Sequence, residues 1–142
     1  MPYTTLAEMT DRYGASQLVS LTDRADVATG VIDTDVIDRA LAGADALING
    51  HLGGRYQLPM AETPPLVADL AQAITFWKLH IYEPGAKVKA DFEAAMRTLR
   101  DISNGTVHLP IAGVEPAGTG TSGVQVTDRE RPLTAANMKG LI

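Results

Sequence analysis

From residue 35 to residue 52 the apolar side chains Ile37, Ala40, Leu41, Ala44, Leu47, Ile48 and Leu52 recur with the 3.6-residue period of an α-helix. A strand cannot present such a stripe on one face, because its side chains alternate every second residue. A stripe of about four helical turns must be buried against other elements. Ala40, Gly43 and Ala44 lie on or beside it and let a second helix approach closely. The expected N-cap is Thr34 or Asp35, since either side chain can accept from the free amides of the first turn. The acids Asp33, Asp35 and Asp38 suit the positive end of such a helix better than a calcium loop, which would add a glycine and a distant glutamate at fixed spacing.

Other segments carry the same signature. Leu6, Met9 and Tyr13 fall at i, i+3 and i+7, with Thr4 or Thr5 as cap and Gly14 as a left-handed stop, and a second brief turn over residues 15–21 follows. Thr63-Pro64-Pro65 announces a helix running to about Tyr82, with Thr63 as cap and Pro64 at the first helical position, where a missing amide costs nothing. Its stripe of Val67, Leu70, Ala73, Ile74, Trp77 and Ile81 is widened by Leu66 and Phe76, which predicts contact on more than one side and hence a central helix. Glu83-Pro84-Gly85 breaks the chain. Val88, Phe92, Ala95, Met96, Leu99 and Ile102 then mark a helix from about Ala86 to a stop at Asn104-Gly105. With two Phe, one Trp and four Tyr in 142 residues, the packing falls to Ala, Leu, Val and Ile, which suits helices. The expected fold is mainly α, a bundle of about four helices over residues 1–110.

After residue 105 the pattern changes. Residues 106–111 and 124–127 read as candidate short strands, and residues 112–123 (AGVEPAGTGTSG) as a flexible linker. The final DRERPLTAANMKGLI holds Leu133, Met138, Leu141 and Ile142, too few for a core but sufficient to dock on a partner. The chain divides at this level into a helical unit, residues 1–110, and a linker with a docking arm, residues 111–142.

The charge of −5 resides in the first unit, where 14 acidic residues face 9 basic ones, while the arm holds 3 of each. That balance lacks the basic footprint of a protein that grips nucleic acid. Without cysteine there is no disulfide framework, thiolate zinc site or cysteine nucleophile. No apolar run approaches a membrane span and the first residues lack a signal-peptide pattern, so a soluble, unsecreted chain is expected.

Residues 49–59 read NGHLGGRYQLP and raise the question of a phosphate loop. The glycines close a helix instead of opening one after a strand, and their spacing fits neither a Walker loop nor a dinucleotide fingerprint. The favoured reading is punctuation: Gly50, Gly53 and Gly54 let the helix end and the backbone turn, Arg55 faces the terminal carbonyls or a partner, and Tyr56, Leu58 and Pro59 anchor the connection. His51, His80 and His108 lie on three different elements with no i, i+4 zinc pair, and no serine sits in a nucleophile elbow. Phe76, Trp77 and Tyr82 read as core aromatics before they read as a ligand box. Lys87, Lys89, Arg97 and Arg100 alternate with Asp91, Glu93 and Asp101, the pattern of a solvated face and not of a DNA-reading helix. No enzyme, cofactor or metal is expected.

The stretch DTDVIDRALAGADALINGHLGGRYQLP, preceded by MPYTTLAEMTDRYG and followed by PPLVADLAQAITFWKLH, resembles the family of Mu-like phage neck proteins and, more widely, the helical head-to-tail connectors of tailed phages. The resemblance covers residues 1 to about 110, and its most telling piece is the glycine-rich helix end followed by Arg55-Tyr56-x-Leu58-Pro59. It implies a structural protein of the virion neck, assembled in the host cytoplasm, that forms a ring under the portal protein. Such a ring, of twelve copies in related connectors, extends the DNA channel and offers a platform to the next neck or tail component. DNA would pass through the lumen without specific binding. The family's arginine-containing, partly apolar C-terminal peptide is similar to Arg129, Arg131, Leu133 and Met138, whereas the glycine and threonine linker before them departs from the pattern. Arg55, Tyr56, Arg129, Arg131, Leu133 and Met138 are therefore the candidate subunit or portal contacts. The alternatives are another neck component, such as a tail-completion or stopper protein, or a small helical protein-binding regulator.

Overall fold

The computed structural model describes residues 2–111, which form five helices: α1 Leu6–Tyr13, α2 Ala15–Thr22, α3 Thr34–Leu52, α4 Pro65–Leu79 and α5 Ala86–Asn104. The mainly α expectation holds, and the brief turn after Gly14 is a helix in its own right. The linker over residues 112–123, the candidate strand over 124–127 and the docking arm lie outside the described residues.

Two apolar clusters explain the arrangement. In the first, Ala44, Ile48 and Leu52 of α3 meet Val67, Leu70, Ala71 and Ile74 of α4 and Ala95, Leu99 and Ile102 of α5. In the second, Val36, Ile37, Ala40 and Leu41 of α3 meet Phe76 and Leu79 of α4 together with Met9 of α1 and Leu18 of α2. The late part of α3 thus faces the early part of α4 and the reverse, so the two run antiparallel, and α4 and α5 do the same. The short α1–α2 pair packs on the early part of α3 and the late part of α4, where Val88 of α5 also reaches. Each fully buried Leu, Ile or Phe in these clusters contributes about 1.5–3 kcal/mol relative to exposure.

The helix boundaries follow from local chemistry and correct the sequence reading in four places. At α1, Thr5 and Glu8 form a reciprocal capping box, as the spacing T-x-x-E allows. Gly14 ends α1 with a φ of 87° but a ψ of 144°, so it turns the chain into α2 without adopting the left-handed helical geometry expected. Asp33, and not Thr34 or Asp35, caps α3: its carboxylate accepts from the amides of Asp35 and Val36 at 3.0 and 3.4 Å. α4 begins at Pro65 with no side-chain cap, because a residue that precedes proline is pushed out of the α region and Pro64 is such a residue. At its far end the helix stops at Leu79 instead of Tyr82, with His80 already extended at φ −77° and ψ 126°.

The segment after α5 is not a strand. The amides of Thr106 and Val107 donate back to Asp101 O, and the Leu109 amide donates to the Tyr56 hydroxyl, so they are spent on closing the bundle and not on a sheet ladder. At the other terminus Tyr3 is buried, its amide donating to Asp45 Oδ1 at 3.0 Å and its hydroxyl donating to Asn49 Oδ1, which pins the first residues along α3. Partial burial raises the Asp45 carboxyl above its ordinary range, with the Tyr3 amide opposing that shift.

Thr75 of α4 is fully buried and its hydroxyl has no hydrogen-bond partner among the described residues. An unpaired buried hydroxyl costs about 1–3 kcal/mol, and valine has nearly the same shape. Thr75→Val is expected to raise the urea midpoint of unfolding with an unchanged slope; a lowered midpoint would show that the hydroxyl is satisfied after all.

Candidate functional site

The turn over residues 53–60 is built around the end of α3. The Gly53 amide donates to Asn49 O at 2.8 Å and those of Arg55 and Tyr56 donate to Leu52 O at 2.9 and 2.8 Å, winding the chain one tight turn past the helix. Gly53 stays in the right-handed region at φ −61° and ψ −23°, and neither Gly50 nor Gly54 has a positive φ. A Cβ at Gly53 would sit 3.0 Å from Asn49 O, while Gly50 and Gly54 have open space around them. Close approach at Gly53 is therefore the demand this turn makes, and the other two glycines are not required by sterics. The Leu58–Pro59 peptide is cis.

Tyr56 and Arg55 both point at the far end of α5. Tyr56 is 2% exposed within the first cluster, and its hydroxyl accepts from the Leu109 amide at 3.1 Å. Gly105 closes α5 in the left-handed conformation, φ 83° and ψ 8°, with its amide on Ile102 O and the Thr106 amide on Asp101 O, the paired bonds of a Schellman stop. A Cβ built on Gly105 would fall 2.5–2.6 Å from Nη1, Cζ and Nη2 of Arg55, which places the guanidinium flat over that α-carbon. The cation thus sits at the carbonyl end of α5 and not at the end of its own helix, a position the helix dipole favours. Arg55 and Tyr56 together tie the α3–α4 turn to the segment after α5, and the Tyr56 side chain belongs to the interior of its own chain.

The opposite end of the bundle is closed by Arg24 and Asp23. Arg24 donates from Nη2 to Leu79 O at 2.9 Å, taking one of the free carbonyls of α4, and from Nε to Leu21 O at 3.2 Å. Asp23 accepts from the amides of Thr29 and Gly30 at 2.8 and 3.0 Å and from the Thr29 hydroxyl at 3.1 Å. These bonds, the Gly30 amide foremost, hold the Asp23 carboxyl below its ordinary range. They also draw residues 23–30 into a closed loop with Val27 at its tip. Leu21, Asp23 and Arg24 share a cleft with Ile81, Tyr82 and Glu83. Val27, Val31, Ile81 and Tyr82 are exposed by 79, 62, 63 and 87%, and all four belong to the two loops at this end.

Ile81 was expected on the stripe of α4 and Tyr82 at its end as a core aromatic, and their exposure is what the sequence reading missed. The three aromatics of the supposed box part company. Phe76 stacks on Tyr13 with centroids 3.8 Å apart, Trp77 stacks on Phe92 at 4.5 Å, and Tyr82 faces solvent. His80 Nδ1 donates to Phe76 O at 2.8 Å as part of the α4 end. Among the described residues no three His, Asp or Glu side chains come together as a metal site would require. On α5 the Lys87–Asp91 pair, 2.7 Å apart and largely exposed, is the kind of contact the alternating charges imply. Arg129, Arg131, Leu133 and Met138 lie outside the described residues.

Two substitutions probe the closure. Gly105→Ala forces a positive φ on an L side chain and drives its methyl group into the Arg55 guanidinium, so a loss of at least about 1 kcal/mol is expected in chemical unfolding. Arg55→Ala removes the cation from the α5 terminus and is expected to cost the single subunit about 0.5–2 kcal/mol, an effect that high salt diminishes. Unchanged unfolding for Arg55→Ala would show that the guanidinium does not stabilise the α5 stop.

A family model described as Bacteriophage Mu, Gp36 matches residues 3–128, taking in nearly all of the described helical body and part of the segment beyond it. Gene product J of Escherichia phage Mu is 26% identical over 142 residues, covering 100% of both chains. With a match of that extent over its helices, the turn at residues 53–60 and the α5 stop, the chain belongs to the Bacteriophage Mu Gp36 family.

Proposed function

We propose that this protein is a structural head-to-tail adaptor of a tailed phage, a neck component that forms a ring beneath the portal protein and joins capsid to tail. The observation that carries the reading is membership, over nearly the whole chain, of a Mu phage family. It is read together with the resemblance of residues 1–110 to helical connectors. On this reading the chain is not an enzyme and needs no cofactor.

The physical features fit that role. A subunit of a ring needs two different side surfaces, one contacting the other until the rotation closes. The helical body supplies a rigid block with a loop end of exposed valine, isoleucine and tyrosine side chains, and the arm supplies an apolar, arginine-containing peptide. The acidic excess of residues 1–110 suits a channel through which DNA slides, because carboxylates at the lumen repel phosphates and prevent tight binding. The ring would lie in the virion neck after assembly in the host cytoplasm, with the next neck or tail component on its far side.

The test is co-assembly. Purified full-length protein mixed with the portal of its own phage is expected to add a coaxial ring, twelve copies as in related connectors, visible by electron microscopy. Removal of residues 124–142 is expected to leave a folded helical chain that no longer joins the portal or a neighbouring copy. Failure to associate with the portal, or a lumen lined mainly by Arg and Lys, would overturn the reading, and attachment to isolated tails in place of portals would favour a tail-completion role.

A further inference from the structure

We infer that the cleft between the start of α4 and the exit of the chain at Ile111 is the seat of the chain's own next residues, 112–116. The cleft has a volume of about 400 Å³ and is lined by Ala61, Thr63, Pro64 and Pro65 on the approach to α4 and by Pro110 and Ile111. Three of these residues are prolines without an amide, so the cleft offers apolar ring faces and no row of main-chain donors. It can take side chains but cannot extend a hydrogen-bonded strand.

Covalent continuity selects the occupant. The path from α5 to the cleft is fixed: the Thr106 and Val107 amides return to Asp101 O, the Leu109 amide donates to the Tyr56 hydroxyl, and Ile111 packs against the first cluster. Ile111 is thus held in the cleft wall, and Val114 cannot lie more than about 11 Å from it. A segment tethered so closely meets the cleft at an effective concentration that a diffusing partner does not match. Its sequence also fits. In an extended chain Ala112, Val114 and Pro116 share one face, and Gly113 and Glu115 the other. The first set suits the apolar cleft, and the second turns Glu115 away from Glu62 at the rim. Beyond Ala117 the run GTGTSG, residues 118–123, carries no large apolar side chain, so the seated stretch ends before it. The arm, residues 124–142, then hangs on residues 117–123, at most about 25 Å of extended chain, from the end of the bundle that Arg55 and Tyr56 close. Whatever surface receives the arm must approach that end. The inference goes beyond the adaptor reading and does not depend on it.

Nuclear Overhauser effects in the full-length protein test the seat. Cross-peaks are expected from the Val114 methyl groups to the Ala61 methyl and the Pro65 ring, and none to those positions from Val124 or Val126, which follow the glycine run. In a sample mixing labelled and unlabelled chains the cross-peaks are expected to stay within one chain. Val114→Ser is expected to lower the urea midpoint of unfolding by about 0.5 M, and Val124→Ser to leave it unchanged. Absence of the Val114 cross-peaks, cross-peaks found only between chains, or equal midpoints for the two variants would overturn the inference. None of these results bears on portal association, so the seat and the adaptor reading fail separately.

Discussion

Helix α4 has almost no surface left for water, and the rest of the fold follows from covering it. Of its 15 residues only Pro65, Asp69 and Lys78 are exposed. Asp69 is paired with Arg12 of α1, and the Lys78 stem lies against Gly43 of α3. A helix apolar on nearly every side cannot be satisfied by one neighbour, so α3 takes one face, α5 a second, and the α1–α2 pair the remaining part. The gap left at Gly43 is wide enough for an aliphatic stem but not for a larger residue's side chain as well, since a Cβ there would already touch Lys78 at 3.4 Å.

Both ends of this packed layer are closed by arginine. At one end Arg24 takes a terminal carbonyl of α4, and at the other Arg55 covers the terminal turn of α5. The two closures differ in consequence. The Arg55 end is completed by Tyr56 and Leu109, which bury the chain's exit from α5. The Arg24 end leaves valine, isoleucine and tyrosine side chains in solvent. A body with one finished end and one unfinished end has two chemically different termini, and this asymmetry is compatible with the directional assembly proposed above.

Much of the fold was legible in the sequence because it depends on local rules. The 3.6-residue stripes located α3, α4 and α5, the T-x-x-E spacing located the start of α1, and Asn104-Gly105 located the end of α5. Two of the errors also had local causes: Pro65 kept Pro64 out of α4, and Asp33 outcompeted its neighbours as a cap of α3. The candidate site was less legible. Arg55 and Tyr56 were recognised as turn residues, yet their partners lie about fifty residues away, on the stop of α5 and on Leu109, and periodicity carries no information about contacts at that separation.

The sequence by itself determined that this chain is helical, where its helices lie, that α4 is central, and that it is of a kind with Mu-like phage proteins, since each of these is encoded in short-range pattern and residue order. Tertiary structure alone decided that Tyr56 is an interior residue, that Arg55 serves a different helix from the one it follows, and that Ile81 and Tyr82 emerge from the core to join Val27 and Val31 at one end. These outcomes depend on which distant segments meet, and that is settled by packing around a helix that had to be covered on every side.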